Sequence, residues 1–174
     1  MNDLKLIVMD NIIEAGLEID EYLKKMNRSE KSYIMNVNRV RFNNGEGKIT
    51  IEETTRDKDV FILSDVGNYS ITYDMHGMKV PMGPDEHFQD IKRAISALSG
   101  YARRITVIMP LLYQSRQDKR KGKESLDCAI ALQELERLNM HLKFNFVSKS
   151  ENENKINEYK YKLKHFENES IKIK

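Results

Sequence analysis

At 174 residues, with 40% apolar and 32% charged side chains, the chain is long enough for one globular domain with a real core. A net charge of only +2 argues against a nucleic-acid or membrane partner, and no apolar run approaches membrane-spanning length. A single cysteine, Cys128, rules out an internal disulfide and fits a reducing, cytoplasmic setting. It falls on the apolar side of a predicted helix, so it reads as a small buried residue rather than a nucleophile. No internal repeat is visible.

In chain order, Leu4 to Met9 reads as a first strand, and Asp10 or Asn11 is placed to cap the helix after it. Ile12, Ile13, Leu17, Ile19, Tyr22, Leu23 and Met26 give that helix an apolar stripe. Tyr33, Met35, Val37 and Val40 alternate as a strand does. A turn rich in Gly and Asn follows over residues 41–47, and then a second alternating strand from Lys48 to Glu53. The two strands are expected to form a hairpin projecting from a parallel sheet. After a polar turn over residues 54–58, Asp59 to Ser64 reads as a strand buried on both faces.

Residues 65–84 show no clear period and are longer than most structural connections. They read either as a functional or subunit-contacting loop, or as a mobile insertion. His76 and His87, with Asp74, Asp85 and Glu86 nearby, are a weak metal candidate because their spacing matches no metal motif. Phe88, Ile91, Ile95 and Leu98 mark an amphipathic helix over residues 85–98, stopped by Gly100.

The stretch from Arg103 to Leu138 organises the rest. Ile105, Val107, Ile108 and Met109 form a short apolar run ended by Pro110, as a buried parallel strand should. A polar loop then carries five basic residues between Arg116 and Lys123. Such a loop at a strand's carboxyl end suits a phosphorylated ligand, since Arg offers a planar fork and Lys a point charge. It equally suits an ordinary solvated surface. Leu126, Ala129, Ile130, Leu132, Leu135 and Leu138 then give a helical stripe, with Ser125 and Asp127 near its start. Leu142 to Val147 reads as a last strand. Residues 149–174, rich in Lys, Glu and Asn, read as an exposed helix or a partly disordered tail. The expected division is a domain over 1–148 and a charged tail over 149–174.

Three segments in this order carry a family resemblance. They are RFNNGE leading into a strand, RDKDVFIL, and RRITVIMPLLYQSRQDKRKGKESLD. Together they resemble the amino-terminal domain of ribose-phosphate diphosphokinase, also called phosphoribosyl pyrophosphate synthetase. Members carry a Phe-Ser-Asp-Gly-Glu turn and a strand leading into Tyr-Ala-Arg-Gln-Asp-Arg-Lys. The resemblance implies a phosphoribosyltransferase-like α/β fold, with a parallel sheet flanked by helices. It further implies a transferase, a kinase that moves diphosphate from Mg-ATP to ribose 5-phosphate and releases AMP. By the same resemblance, Phe42, Asn44 and Glu46 match turn positions that hold adenine, usually across a subunit interface. Arg116 and Gln117 match a pair that contacts ATP, with Asp118 beside them. Mg2+ and an oligomeric state follow from the family as well.

Two departures qualify this. The family's turn aspartate is Asn44 here, which removes a charge but keeps a hydrogen-bonding amide. After Leu138 the sequence leaves the family pattern. His141 is outside the family's metal-binding context, and the ribose-phosphate loop is absent from these residues. The change is expected to mark a truncated product, from a frame shift or a divergent gene end. Two main readings result. In one the chain carries mainly the ATP-binding half of the enzyme. In the other it is a non-catalytic truncated paralogue that assembles with or regulates full-length subunits. A generic nucleotide-binding module is the weaker third.

Overall fold

The computed structural model describes residues 3–119, 121–138 and 142–146. The elements begin with β1 (Leu4–Val8), α1 (Ile13–Asn27), and the strands β2 (Val37–Arg41) and β3 (Gly47–Ile51). Next come β4 (Asp59–Leu63), β5 (Thr72–Met75), β6 (Met78–Pro81) and α2 (Pro84–Leu98). The last are β7 (Arg104–Met109), α3 (Asp127–Leu138) and β8 (Leu142–Phe146). The charged tail expected over 149–174 lies outside the described residues.

Four strands form one parallel sheet in the order β1–β4–β7–β8. Their β-branched, continuously apolar runs are the composition that burial on both faces requires. Pleating sends Leu6, Val8, Phe61, Leu63 and Ile108 to one face, under Ile19 and Leu23 of α1. It sends Ile7, Val60, Ile62, Ile105, Val107 and Met109 to the other, under Ile91, Ile95 and Leu98 of α2 and Leu135 of α3. Each such side chain stabilises the fold by about 1.5–3 kcal/mol relative to exposure.

The expected β2–β3 hairpin is present, with Val37 opposite Ile51 and Arg41 opposite Gly47. Its apolar side, Val37, Ile49 and Ile51, joins the core on the α2 face. The hairpin thereby sits against α2 near the sheet's carboxyl end.

Four local expectations need correction. Neither Asp10 nor Asn11 caps α1, because a 3-10 turn over Asp10–Ile12 intervenes and no side-chain cap is made. Asn11 is instead buried between strands: its Nδ2 donates to Ser64 Oγ at 3.1 Å and its Oδ1 accepts from Asp65 N at 3.1 Å. The α1 stripe is narrower than expected. Ile13 and Leu17 are exposed, while Gly16 and Asp20 take buried positions between Ile12, Ile19 and Leu23. Asp20 accepts from Tyr33 N at 2.7 Å and Ser32 Oγ at 3.0 Å, and pairs with Lys24.

Those bonds explain the third correction. Tyr33 and Met35 do not continue β2; they run beside β1, with Leu6 N donating to Tyr33 O and Met35 N to Leu6 O. The fourth concerns residues 65–84, which contain an antiparallel hairpin, β5–β6, rather than only irregular loop.

Candidate functional site

The first motif is built by local turn chemistry. Phe42 N donates to Glu46 O, and Gly45 N donates to Phe42 O, each at 2.8 Å. This closes a three-residue loop with Gly45 at φ +86°, the left-handed position that glycine fills at least cost. Asn44 and Glu46 are joined twice: Glu46 N donates to Asn44 Oδ1 at 3.1 Å, and Asn44 Nδ2 donates to Glu46 Oε2 at 3.0 Å. An aspartate at position 44 would repel the Glu46 carboxylate, whereas the amide orients it. Phe42 stands 47% exposed, a large ring with open access to solvent.

The second motif lies beyond the carboxyl end of β7. Tyr113 anchors it, stacking on Phe88 of α2 with ring centroids 4.1 Å apart and donating its hydroxyl to Asp85 at 2.7 Å. Burial, and then that bond to Asp85, raise the Tyr113 hydroxyl above its usual pKa. So Tyr113 is a packing residue. Gln114 follows in the left-handed region at φ 54° and accepts from Gln117 N at 2.8 Å, which winds Ser115–Gln117 into a 3-10 turn. Arg116 and Asp118 are exposed and Gln117 is half-buried. The Arg116 guanidinium makes no hydrogen bond or ion pair among the described residues. Cys128 sits beneath; burial, and then the charge of Asp118, push its thiol up, which keeps it unreactive.

Each motif is therefore assembled, but separately. No hydrogen bond or ion pair joins the Phe42–Glu46 turn to the Arg116–Asp118 turn among the described residues. The weak metal candidate is not assembled either. His76 sits in the β5–β6 turn, while His87, on α2, has its Nε2 2.7 Å from the Asn68 carbonyl. No group of three or more His, Cys, Asp or Glu side chains is placed to hold a metal among the described residues.

The β5–β6 hairpin is what sequence reasoning missed. His76 N donates to Asn43 O at 3.2 Å, and the Tyr73 ring lies 5.2 Å from the Arg41 guanidinium carbon. Arg41 in turn reaches Gly45 O at 3.2 Å and Asp90 at 2.7 Å. The second hairpin thus braces the first turn. Its signal was present but disguised: alternation from Ile71 to Val80 around His76-Gly77, both at positive φ. Such a turn usually carries Asn-Gly or Asp-Gly, and His hides it.

A parallel sheet between helices, with polar loops beyond its carboxyl ends, defines an open-sheet α/β domain. Comparison with known proteins then narrows the class. The chain belongs to the family of the N-terminal domain of ribose phosphate pyrophosphokinase, whose model matches residues 5–138. It is 35% identical over 109 residues to ribose-phosphate pyrophosphokinase 2 of Schizosaccharomyces pombe, a match covering 62% of this chain and 30% of that protein. Its fold is similar to the crystal structure of phosphoribosylpyrophosphate synthetase from Mycobacterium smegmatis, with a TM-score of 0.56 and 22% identity. That likeness covers 78% of this chain and 39% of the other. The chain thus matches well under half the length of either protein.

Proposed function

We propose that the chain supplies the ATP-binding half of a ribose-phosphate diphosphokinase, a transferase that passes diphosphate from Mg-ATP to ribose 5-phosphate and releases AMP. One observation carries this reading: the Phe42 ring and the Arg116 guanidinium stand exposed at the two motif turns, Arg116 without a partner among the described residues, on a frame that belongs to the family. Phe42 offers a face for adenine to stack on, and Glu46 an oriented carboxylate that accepts from the exocyclic amine. Arg116 brings an unpaired cation to the phosphates, and Gln117 and Asp118 lie beside it. Diphosphoryl transfer depends on such positioning and charge neutralisation.

Mg2+ fits this arrangement as part of the nucleotide complex. It needs only one or two carboxylates besides phosphate oxygens and water, and Asp118 is exposed next to Arg116. Bound there, it would neutralise charge on the phosphates. Because the two turns are not bonded to one another, a site joined across subunits of an oligomer accounts for both. The domain would end near residue 148, with residues 149–174 as a charged appendage. The buried single thiol fits a cytoplasmic setting. No helix among the described residues is long and apolar enough to cross a membrane.

Exposed Phe42, Tyr69 and Met78, on or near the two hairpins, favour a second reading as an assembly partner of full-length synthetase. One assay separates the two. AMP release from Mg-ATP that requires ribose 5-phosphate, by the chain alone, supports the enzyme. No turnover, together with co-elution of the chain with a complete synthetase, supports the partner. Neither turnover nor co-elution would refute both.

A further inference from the structure

Beyond the carboxyl ends of β1 and β4 lies a cavity of about 200 Å3, which both hairpins help to wall. Ligands of open α/β sheets bind at such strand ends. The volume falls below the ~300 Å3 at which drug-sized pockets begin, which favours a small ligand.

The chemistry of the lining is specific. Ser64 and Asn11 are buried and bonded to one another, giving the cavity a fixed polar floor. His87 is 3% exposed, and its Nε2 meets the Asn68 carbonyl at 2.7 Å. A carbonyl can only accept, so Nε2 carries a proton, and in the uncharged form of the ring Nδ1 is the acceptor. Nδ1 has no partner among the described residues, which is uncommon for a buried polar atom. The charges of the wall nearly cancel: Arg39 pairs with Asp10, and Arg41 with Asp90. Lys48 remains, with no hydrogen bond or ion pair among the described residues. Lys48 and His87 both line the cavity, which therefore combines at least one unbalanced positive charge with one buried imidazole.

We propose that this cavity binds a compact hydroxylated anion of the small polyol phosphate class, its anionic group at Lys48 and a hydroxyl donated to His87 Nδ1. The proposal does not rest on the ATP-binding reading, because neither the Phe42 turn nor the Arg116 turn lines the cavity.

The test titrates the full chain with glycerol 3-phosphate and follows backbone amide and imidazole nitrogen resonances. Saturable shifts are expected at Lys48, Ser64 and His87. Affinity should fall at least tenfold for glycerol, which lacks the charge, and for sulfate, which lacks the hydroxyl. Lys48→Met, an exposed substitution that leaves the core intact, should weaken glycerol 3-phosphate at least tenfold, and so should His87→Phe. Shifts scattered over surface lysines, no saturation at millimolar ligand, or unchanged affinity in Lys48→Met would overturn the site. Sulfate binding as tightly as glycerol 3-phosphate would overturn the assigned ligand class.

Discussion

Substituting Gly16 with alanine sets two opposing effects against each other. Gly16 lies within α1, where alanine is favoured over glycine by about 1 kcal/mol. In this packing, however, a Cβ on residue 16 would fall 2.2 Å from Val8 Cγ1, 2.7 Å from Cγ2 and 3.0 Å from Cβ. Carbon atoms pack best at about 3.5–4.0 Å, so something must move by more than about 1 Å. Val8 has little freedom to give way: it is 3% exposed, on a strand paired with β4 at Leu63. Overpacking of this kind costs about 1–3 kcal/mol, and a contact with all three Val8 side-chain carbons belongs at the upper end. The net expectation for Gly16→Ala is a loss of about 2 kcal/mol, read as a fall of roughly 4–8 °C in Tm for a chain of this size. Thermal and urea unfolding followed by circular dichroism measure it. The double variant Gly16→Ala/Val8→Ala should lose less than the sum of the singles, by about 1–2 kcal/mol, since removing the γ-methyls makes room. A rise in Tm for the single variant would refute the reasoning, because propensity alone would then decide and α1 would sit farther from β1.

Three further outcomes follow from the same geometry. Burial alone would raise the Asp59 carboxyl, but bonds from Arg103 and Arg104 outweigh it and hold the group below the usual carboxylate range. Its contribution is therefore present above the unfolded pKa near ~3.9 and is lost as pH falls through the lower folded value. Asp59→Asn should cost about 1–2 kcal/mol at pH 7, between exposed and buried pair values, and the gap to the wild type should close towards pH 3 in urea titrations. In the β5–β6 turn, His76 is at φ 50°, so His76→Val should destabilise by about 1–2 kcal/mol while His76→Asn is neutral or slightly stabilising, by the same unfolding assay. Phe42→Ala should leave stability within about 0.5 kcal/mol, because the ring is exposed, yet weaken Mg-ATP about tenfold or more through lost stacking.

Legibility in the sequence divided along the line between local and tertiary causes. The apolar runs of β1, β4 and β7, the α2 stripe and the glycine turn at Phe42–Glu46 were readable, because each is written within a few neighbouring residues. The family resemblance rested on those same segments. Asn11 looked like a helix cap because caps are local, yet its partners, Ser64 and Asp65, are 53 and 54 positions away. Asp20 drew no reading from its own neighbourhood, because it is a buried acceptor for the backbone of a segment 13 residues away. Ile13 and Leu17 looked like core and are not, since Gly16 draws the helix in along a different line. The cavity at His87 was illegible for a related reason: its lining comes from six separate stretches of chain. The motif turns could be found from sequence, but not how they stand relative to each other.

The central claim is that Arg116 and Gln117 belong to an ATP-binding half-site retained by this chain. Calorimetric titration of the purified, folded chain with Mg-ATP, beside Arg116→Ala/Gln117→Ala, tests it most directly. Saturable binding that is lost or at least tenfold weaker in the variant is the predicted result. Equal binding by both proteins, or no binding by the folded wild-type chain, would contradict it.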